Sequence, residues 1–146
     1  MNMFSDSILK ENKVALVHTF FGFIENKQWA QLEHILHDQF TLFISQFEDL
    51  SKEEFIEVCT LTSASFSDIR ILADKMYEED ELIKGFCTLS GRQEKSLDLD
   101  FLKRVFVAFP GKQNICIHEK FEIWVEEKKI LAFVIQKKDK IYISLT

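Results

Sequence analysis

Between Asn114 and Gln136 the chain carries the pattern that most restricts its fold. Ile115, Ile117, Phe121, Ile123 and Val125 fall on alternate positions and share one face, the period of a half-buried strand. The run Ile130-Leu131-Ala132-Phe133-Val134-Ile135 is apolar on both faces, so each side of a sheet must be covered there. The two runs read as antiparallel strands joined by a tight turn. Everything before them supplies helices for one face.

That demand suits a single domain over residues 1–146, long enough for a genuine core. A net charge of −6 argues against nucleic acid, whose binders present a basic face. No apolar run approaches the roughly 20 residues of a membrane span. Met1-Asn2-Met3-Phe4-Ser5-Asp6 has neither the basic region nor the apolar core of a signal peptide. Cys59, Cys87 and Cys116 are odd in number and each lies in an apolar segment, so they read as buried thiols of a reduced compartment. The expected location is the cytoplasm. Fifteen Phe against four Gly and one Pro give either a plain Phe-heavy core or rings that leave a cavity between them.

In chain order, apolar residues at spacings of three and four predict a helix over Ile8–Asn26. One stripe is Leu9, Lys13, Leu16, Phe20 and Phe23, the other Val14, Val17, Phe21 and Ile24. After a break at Asn26-Lys27-Gln28, a second helix runs from Trp29 to Leu36, and Gln39–Phe47 alternates as a first strand. Ser51-Lys52-Glu53-Glu54 is a capping box for a third helix over Lys52–Ser63. Asp68–Tyr77 and Glu81–Ser90 form a hairpin around a charged turn, after which Gly91 and Arg92 leave the sheet. Lys95–Phe109 fits a short helix or a lid. Lys137–Lys140 turns into a last strand, Ile141–Leu145. Helices first and strands last is the α+β arrangement, with helices on one face of an antiparallel sheet.

Three landmarks stand out along the chain. The first is Phe20-Phe21-Gly22-Phe23-Ile24-Glu25-Asn26-Lys27-Gln28-Trp29, an aromatic helix ending in a short break. The second is Phe66–Ile71 followed by Leu89-Ser90-Gly91, a strand pair closing on glycine. The third is Pro110-Gly111-Lys112 and then Phe121–Ile130, strand, acidic turn and strand. Together they resemble the SnoaL-like polyketide cyclases and ketosteroid isomerases of the cystatin-like, nuclear-transport-factor-like superfamily, with Lys128 where that turn usually has glycine. The resemblance implies a cone: a curved antiparallel sheet wrapped around the N-terminal helices, with an apolar pocket open at one end. It also implies a homodimer through the outer sheet face. Trp124 lies on that face, opposite Phe121 and Ile123 and among His118, Lys120 and Glu122, as a dimer contact would.

Proton transfer on an enolisable ring needs a carboxylate base and an oxyanion donor in an apolar pocket. By the resemblance those groups fall at Phe20, Ile44 and Phe121, all apolar in this chain, so the isomerase chemistry of those positions is absent. Phe20, Trp29, Ile44 and Phe121 are instead expected to line a pocket for a small apolar ligand. Glu119 is the remaining catalytic candidate. It lies two residues before Phe121, on the same face and about 6.6 Å along the strand. It is either a general base or a rim glutamate held by water or a lysine. His18, His34, His37 and His118 form no set with metal spacing, and no glycine-rich phosphate loop or nucleophile elbow is present, so no cofactor or metal is expected. The reading is a small-ligand-binding SnoaL-like domain, acid/base isomerase or cyclase if catalytic. The alternatives are a non-catalytic dimerisation or binding module and a secretion chaperone, which would close with a helix.

Overall fold

A sheet in which one long strand touches three others sets the architecture. A computed structural model describes residues 3–44, 49–95, 112–136 and 142–144. Its elements are α1 (Met3–Glu25), α2 (Trp29–Ile35), β1 (Leu36–Ile44), β2 (Leu50–Ser51), α3 (Lys52–Ser65), β3 (Phe66–Glu79), β4 (Leu82–Gln93), β5 (Gln113–Glu126), β6 (Lys129–Gln136) and β7 (Tyr142–Ser144). The strand order is β2-β1-β6-β5-β4-β3, and β7 pairs with the first part of β5. The α+β expectation and the curved sheet hold. The sheet is mixed, however, because β1 runs parallel to β6, with Leu42 opposite Phe133 and Ile44 opposite Ile135. The expected helix or lid at Lys95–Phe109 lies, after Lys95, outside the described residues.

Local chemistry explains most boundaries. α1 ends where Gln28 N–H bonds the Phe23 carbonyl (2.8 Å) and Lys27 N–H the Ile24 carbonyl (3.2 Å), with Lys27 at φ 58°. That is a Schellman ending, with lysine where glycine is usual. α2 stops after seven residues because Leu36 turns extended and pairs with Ile130, so β1 begins three residues before the expected Gln39. The capping box of α3 forms as read. Glu54 N–H donates to Ser51 Oγ at 3.3 Å, and Ser51 N–H donates to Glu54 Oε1 at 3.0 Å.

Gly91 and Arg92 do not leave the sheet. β4 continues to Gln93, and Gly91 stays opposite Ile115. A Cβ on Gly91 would come within 3.2 Å of Phe66 Cδ1, so the glycine lets the Phe66 ring lie on β4. Cys116 also departs from expectation. It is exposed, because its parity on β5 places it on the outer face, opposite Ser90.

α1 is held along β3 at two points. The Lys13 ammonium is 3.5 Å from Glu78 Oε1, and the Ile71 N–H donates to Glu25 Oε1 at 2.9 Å. Lys13 and Glu25 are about 18 Å apart on a helix. Ile71 and Glu78 are about 23 Å apart on a strand. The two spans match, so α1 lies antiparallel to this edge strand and satisfies one of its free N–H groups.

Both long hairpins turn without glycine. Asp80 and Glu81 have φ 54° and 67°, Glu127 and Lys128 φ 53° and 63°, as a type I′ turn requires at both central positions. Left-handed backbone disfavours a side chain. Lys128→Gly is therefore expected to stabilise the protein by about 0.5–1 kcal/mol, read as a higher urea midpoint at unchanged slope.

Candidate functional site

The concave face is the set of β-strand side chains that point towards α1. On β5 these are Ile115, Ile117, Glu119, Phe121 and Ile123. On β4 they are Ile83, Gly85, Cys87, Leu89 and Gly91, directly opposite in register. One end of this face is close-packed. Ile83 and Ile123 are fully buried, and Phe133 sits beside them on β6. Phe121 meets Phe21 at 5.2 Å and Phe133 at 6.1 Å between ring centroids. Phe20 meets Phe133 at 5.3 Å and stacks on Phe55 at 6.0 Å.

The other end holds a second, separate cluster of Phe66, Ile69 and Ile115. Between the two clusters lie Ile71, Ala73, Cys87, Leu89 and Ile117, all only partly buried although they face inward. In the middle of this group is Glu119, with only 6% of its surface exposed. Its β4 neighbour is Cys87, and Ala73 of β3 completes the row. A carboxylate on this inward face acts on the proton affinity of its neighbours. The Cys87 thiol responds: burial first, then the charges of Glu119 and Asp74, push it up to about 12. Cys59 in α3 is pushed up equally by burial alone.

The remaining sequence candidates fall as follows. Phe20 and Phe121 come together on Phe133, inside the packed rings. Ile44 lies next to Ile135, which is itself opposite Phe121. Trp29 packs on the same cluster from the start of α2. Glu119 shares the Phe121 face, one row towards the second cluster. Cys87 is the neighbour that sequence reasoning did not connect with it. The available signal was the alternation Ile83, Gly85, Cys87, Leu89, which marks an inward row but names no partner. Among the described residues no three His, Cys, Asp or Glu side chains converge as a metal site would require. No described helix is long and apolar enough to cross a membrane.

The outer face differs in kind. His118 stacks on Phe86 at 5.5 Å and shares a 2.7 Å hydrogen bond with Thr88 Oγ1. The ammonium groups of Lys75 and Lys120 stand 5.7 and 5.9 Å from the Phe86 ring centre. Phe43, Leu72, Tyr77 and Trp124, the exposed large apolar side chains of the described residues, all lie on this face by register, with Trp124 46% exposed.

No protein-family model matches the chain, and no curated protein matches it by sequence. Solved structures do match. A protein assigned as a SnoaL-like polyketide cyclase from Jannaschia sp. CCS1 superposes with a TM-score of 0.69 at 12% identity, over 86% of this chain and 85% of that one. An epoxide hydrolase of M. tuberculosis, described as LEH-like, gives 0.66 at 8% identity, over 87% and 83%. A Catenulispora acidiphila protein with a ketosteroid isomerase-like fold, in complex with trimethylamine, gives 0.61 at 9% identity, over 85% of each chain. Helix order, strand order and inward face together give this chain the fold of the SnoaL-like polyketide cyclases and ketosteroid isomerase-like proteins.

Proposed function

We propose that the concave face binds a small apolar carbonyl compound and that Glu119 moves a proton on it, as in an acid/base isomerisation or cyclisation. One observation carries this reading: a carboxylate 6% exposed, set on the inward face between two apolar clusters and ringed by partly accessible side chains. The ligand lies over Ala73, Cys87 and Ile117. The wall carrying Phe121, with Phe20, Ile44 and Trp29 behind or beside it, closes one side. A carboxylate so placed stands within reach of a proton next to the ligand's carbonyl, as a general base must.

The test is hydrogen–deuterium exchange at the α-carbon of 2-tetralone in D2O, followed by NMR. The wild type is expected to exchange above the buffer rate. Glu119→Gln should lower the protein-dependent rate by about 100-fold or more, with little change in melting temperature. An absence of exchange in the wild type refutes the reading. So does a loss of about 1–3 kcal/mol of stability in Glu119→Gln with exchange retained, which makes Glu119 a structural partner.

The second reading, a non-catalytic binding or dimerisation module, draws on the apolar residues at Phe20, Ile44 and Phe121 and on the outer face. We infer that this face pairs with a second copy. Its exposed apolar side chains are interleaved with both signs of charge, Lys84, Glu122 and Lys120, which an isologous contact can pair with itself. Trp124→Glu would bury an unpaired charge in such a contact, so it is expected to halve the mass measured by light scattering. An unchanged mass excludes that interface. A secretion chaperone finds least support, since the described residues after the long hairpin, Tyr142–Ser144, form a strand.

A further inference from the structure

We propose that Cys87 is the hydrogen-bond donor that completes the Glu119 site, its thiol facing the carbonyl oxygen of the ligand whose α-proton Glu119 takes. The inference rests on the proton-transfer reading above and adds to it the second group that such chemistry needs.

The geometry is direct. Cys87 and Glu119 are register partners on neighbouring antiparallel strands and share the inward face. Side chains so placed have Cβ atoms about 4.5–5.5 Å apart. The glutamate reaches two bonds further than the thiol, so the two polar ends are offset into the same space. An enolisable carbonyl compound presents an acidic C–H and an oxygen only two bonds apart, and the offset pair can meet both. Cys87 is also one of the inward side chains that remain partly accessible, whereas Ile83 and Ile123, further along the two strands, are fully buried. With its proton held by burial and by the charges of Glu119 and Asp74, the thiol is an S–H donor and not a nucleophile.

The step balances without a co-reactant. The α C–H bond breaks and its proton goes to a Glu119 oxygen. The electron pair moves through the new carbon–carbon double bond onto the carbonyl oxygen. The Cys87 S–H holds a hydrogen bond to that oxygen and keeps its proton. Return of a proton from Glu119 to the same or a conjugated carbon ends the cycle, with exchange or isomerisation as the outcome.

The experiment is the 2-tetralone exchange assay on the full chain with Cys87→Ala, Cys87→Ser and Glu119→Gln, together with the infrared S–H band of Cys87 isolated as the wild-type minus Cys87→Ala difference. Removing an oxyanion donor elsewhere slows turnover by about 10²–10³. A thiol is weaker, so Cys87→Ala is expected to slow exchange by about tenfold or more. Cys87→Ser, which keeps a donor, should stay near the wild-type rate. The S–H band should move to lower frequency when 2-tetralone is added. Three results overturn the proposal while leaving Glu119 as the base: Cys87→Ala exchanging like wild type, Cys87→Ser losing as much as Cys87→Ala, or an S–H band unmoved by the ketone. A wild type that does not exchange overturns both readings.

Discussion

Replacing Phe20 by Ala is expected to remove about 4 kcal/mol of stability, the upper part of the range for deleting a buried aromatic side chain. Phe20 is fully buried and lies where three elements meet. Its ring is 5.1 Å from Phe21 of α1, 6.0 Å from Phe55 of α3 and 5.3 Å from Phe133 of β6. Such pairs contribute about 0.5–1.5 kcal/mol each beyond the area they bury. The rings are also stiff, so the neighbours cannot collapse into the space left and a cavity remains. With a slope of about 2 kcal/mol per molar urea, the midpoint should fall by about 2 M. Phe43→Ser, on the outer face where Phe43 is 38% exposed, is the matched control and should shift stability by about 0.5 kcal/mol or less in the monomer. A Phe20→Ala midpoint within about 0.5 M of wild type would show that the ring cluster is loosely packed. A ligand could then enter where Phe20 and Phe121 stand.

The Phe-rich core and the main hairpin were legible because each depends on a period within one segment. Parity alone placed Glu119 beside Phe121 and set Trp124 on the opposite face, and both placements hold. What depended on pairing between distant segments was not legible. Nothing in Gln39–Phe47 says that it will run parallel to β6, since a strand looks the same from either direction. Gly91 reads as a strand end, because a glycine that ends a strand and one that admits a neighbouring ring look alike in sequence. Cys116 reads as buried from its apolar flanks, although its parity with Trp124 already places it outside. The Cys87–Glu119 pair was hidden for a deeper reason. It depends on the β4–β5 register, which runs unbroken from Leu82 opposite Trp124 to Gln93 opposite Gln113, and no local period fixes the register between two strands joined by a long connection.

Gly85→Ala is the second large effect expected, about 2 kcal/mol of destabilisation by overpacking, and it tests how the candidate site is positioned. Gly85 faces Phe121 across the ladder. A Cβ there would lie 2.8 Å from Met76 Cγ, 3.1 Å from the Asp74 carbonyl oxygen and 3.2 Å from Phe121 Cζ. The methionine can move, but the backbone oxygen cannot without shifting β3. Met76→Ala should therefore relieve only part of the penalty. Phe121→Leu, which withdraws the ring, should show a coupling with Gly85→Ala of about 1 kcal/mol in a double-mutant cycle. Strict additivity would mean that the ring does not rest on the glycine. The consequence reaches Glu119, because Phe121 and Glu119 are alternate residues of one strand. If the added methyl of Gly85→Ala lifts Phe121 off β4, the strand carries Glu119 away from Cys87. The carboxylate and thiol then remain present but no longer converge. Gly85→Ala should accordingly lower 2-tetralone exchange at temperatures where the protein is still folded, and Phe121→Leu in the same chain should restore part of it. A Gly85→Ala variant that is less stable yet exchanges normally would separate core packing from the site and leave Glu119 positioned by β5 alone.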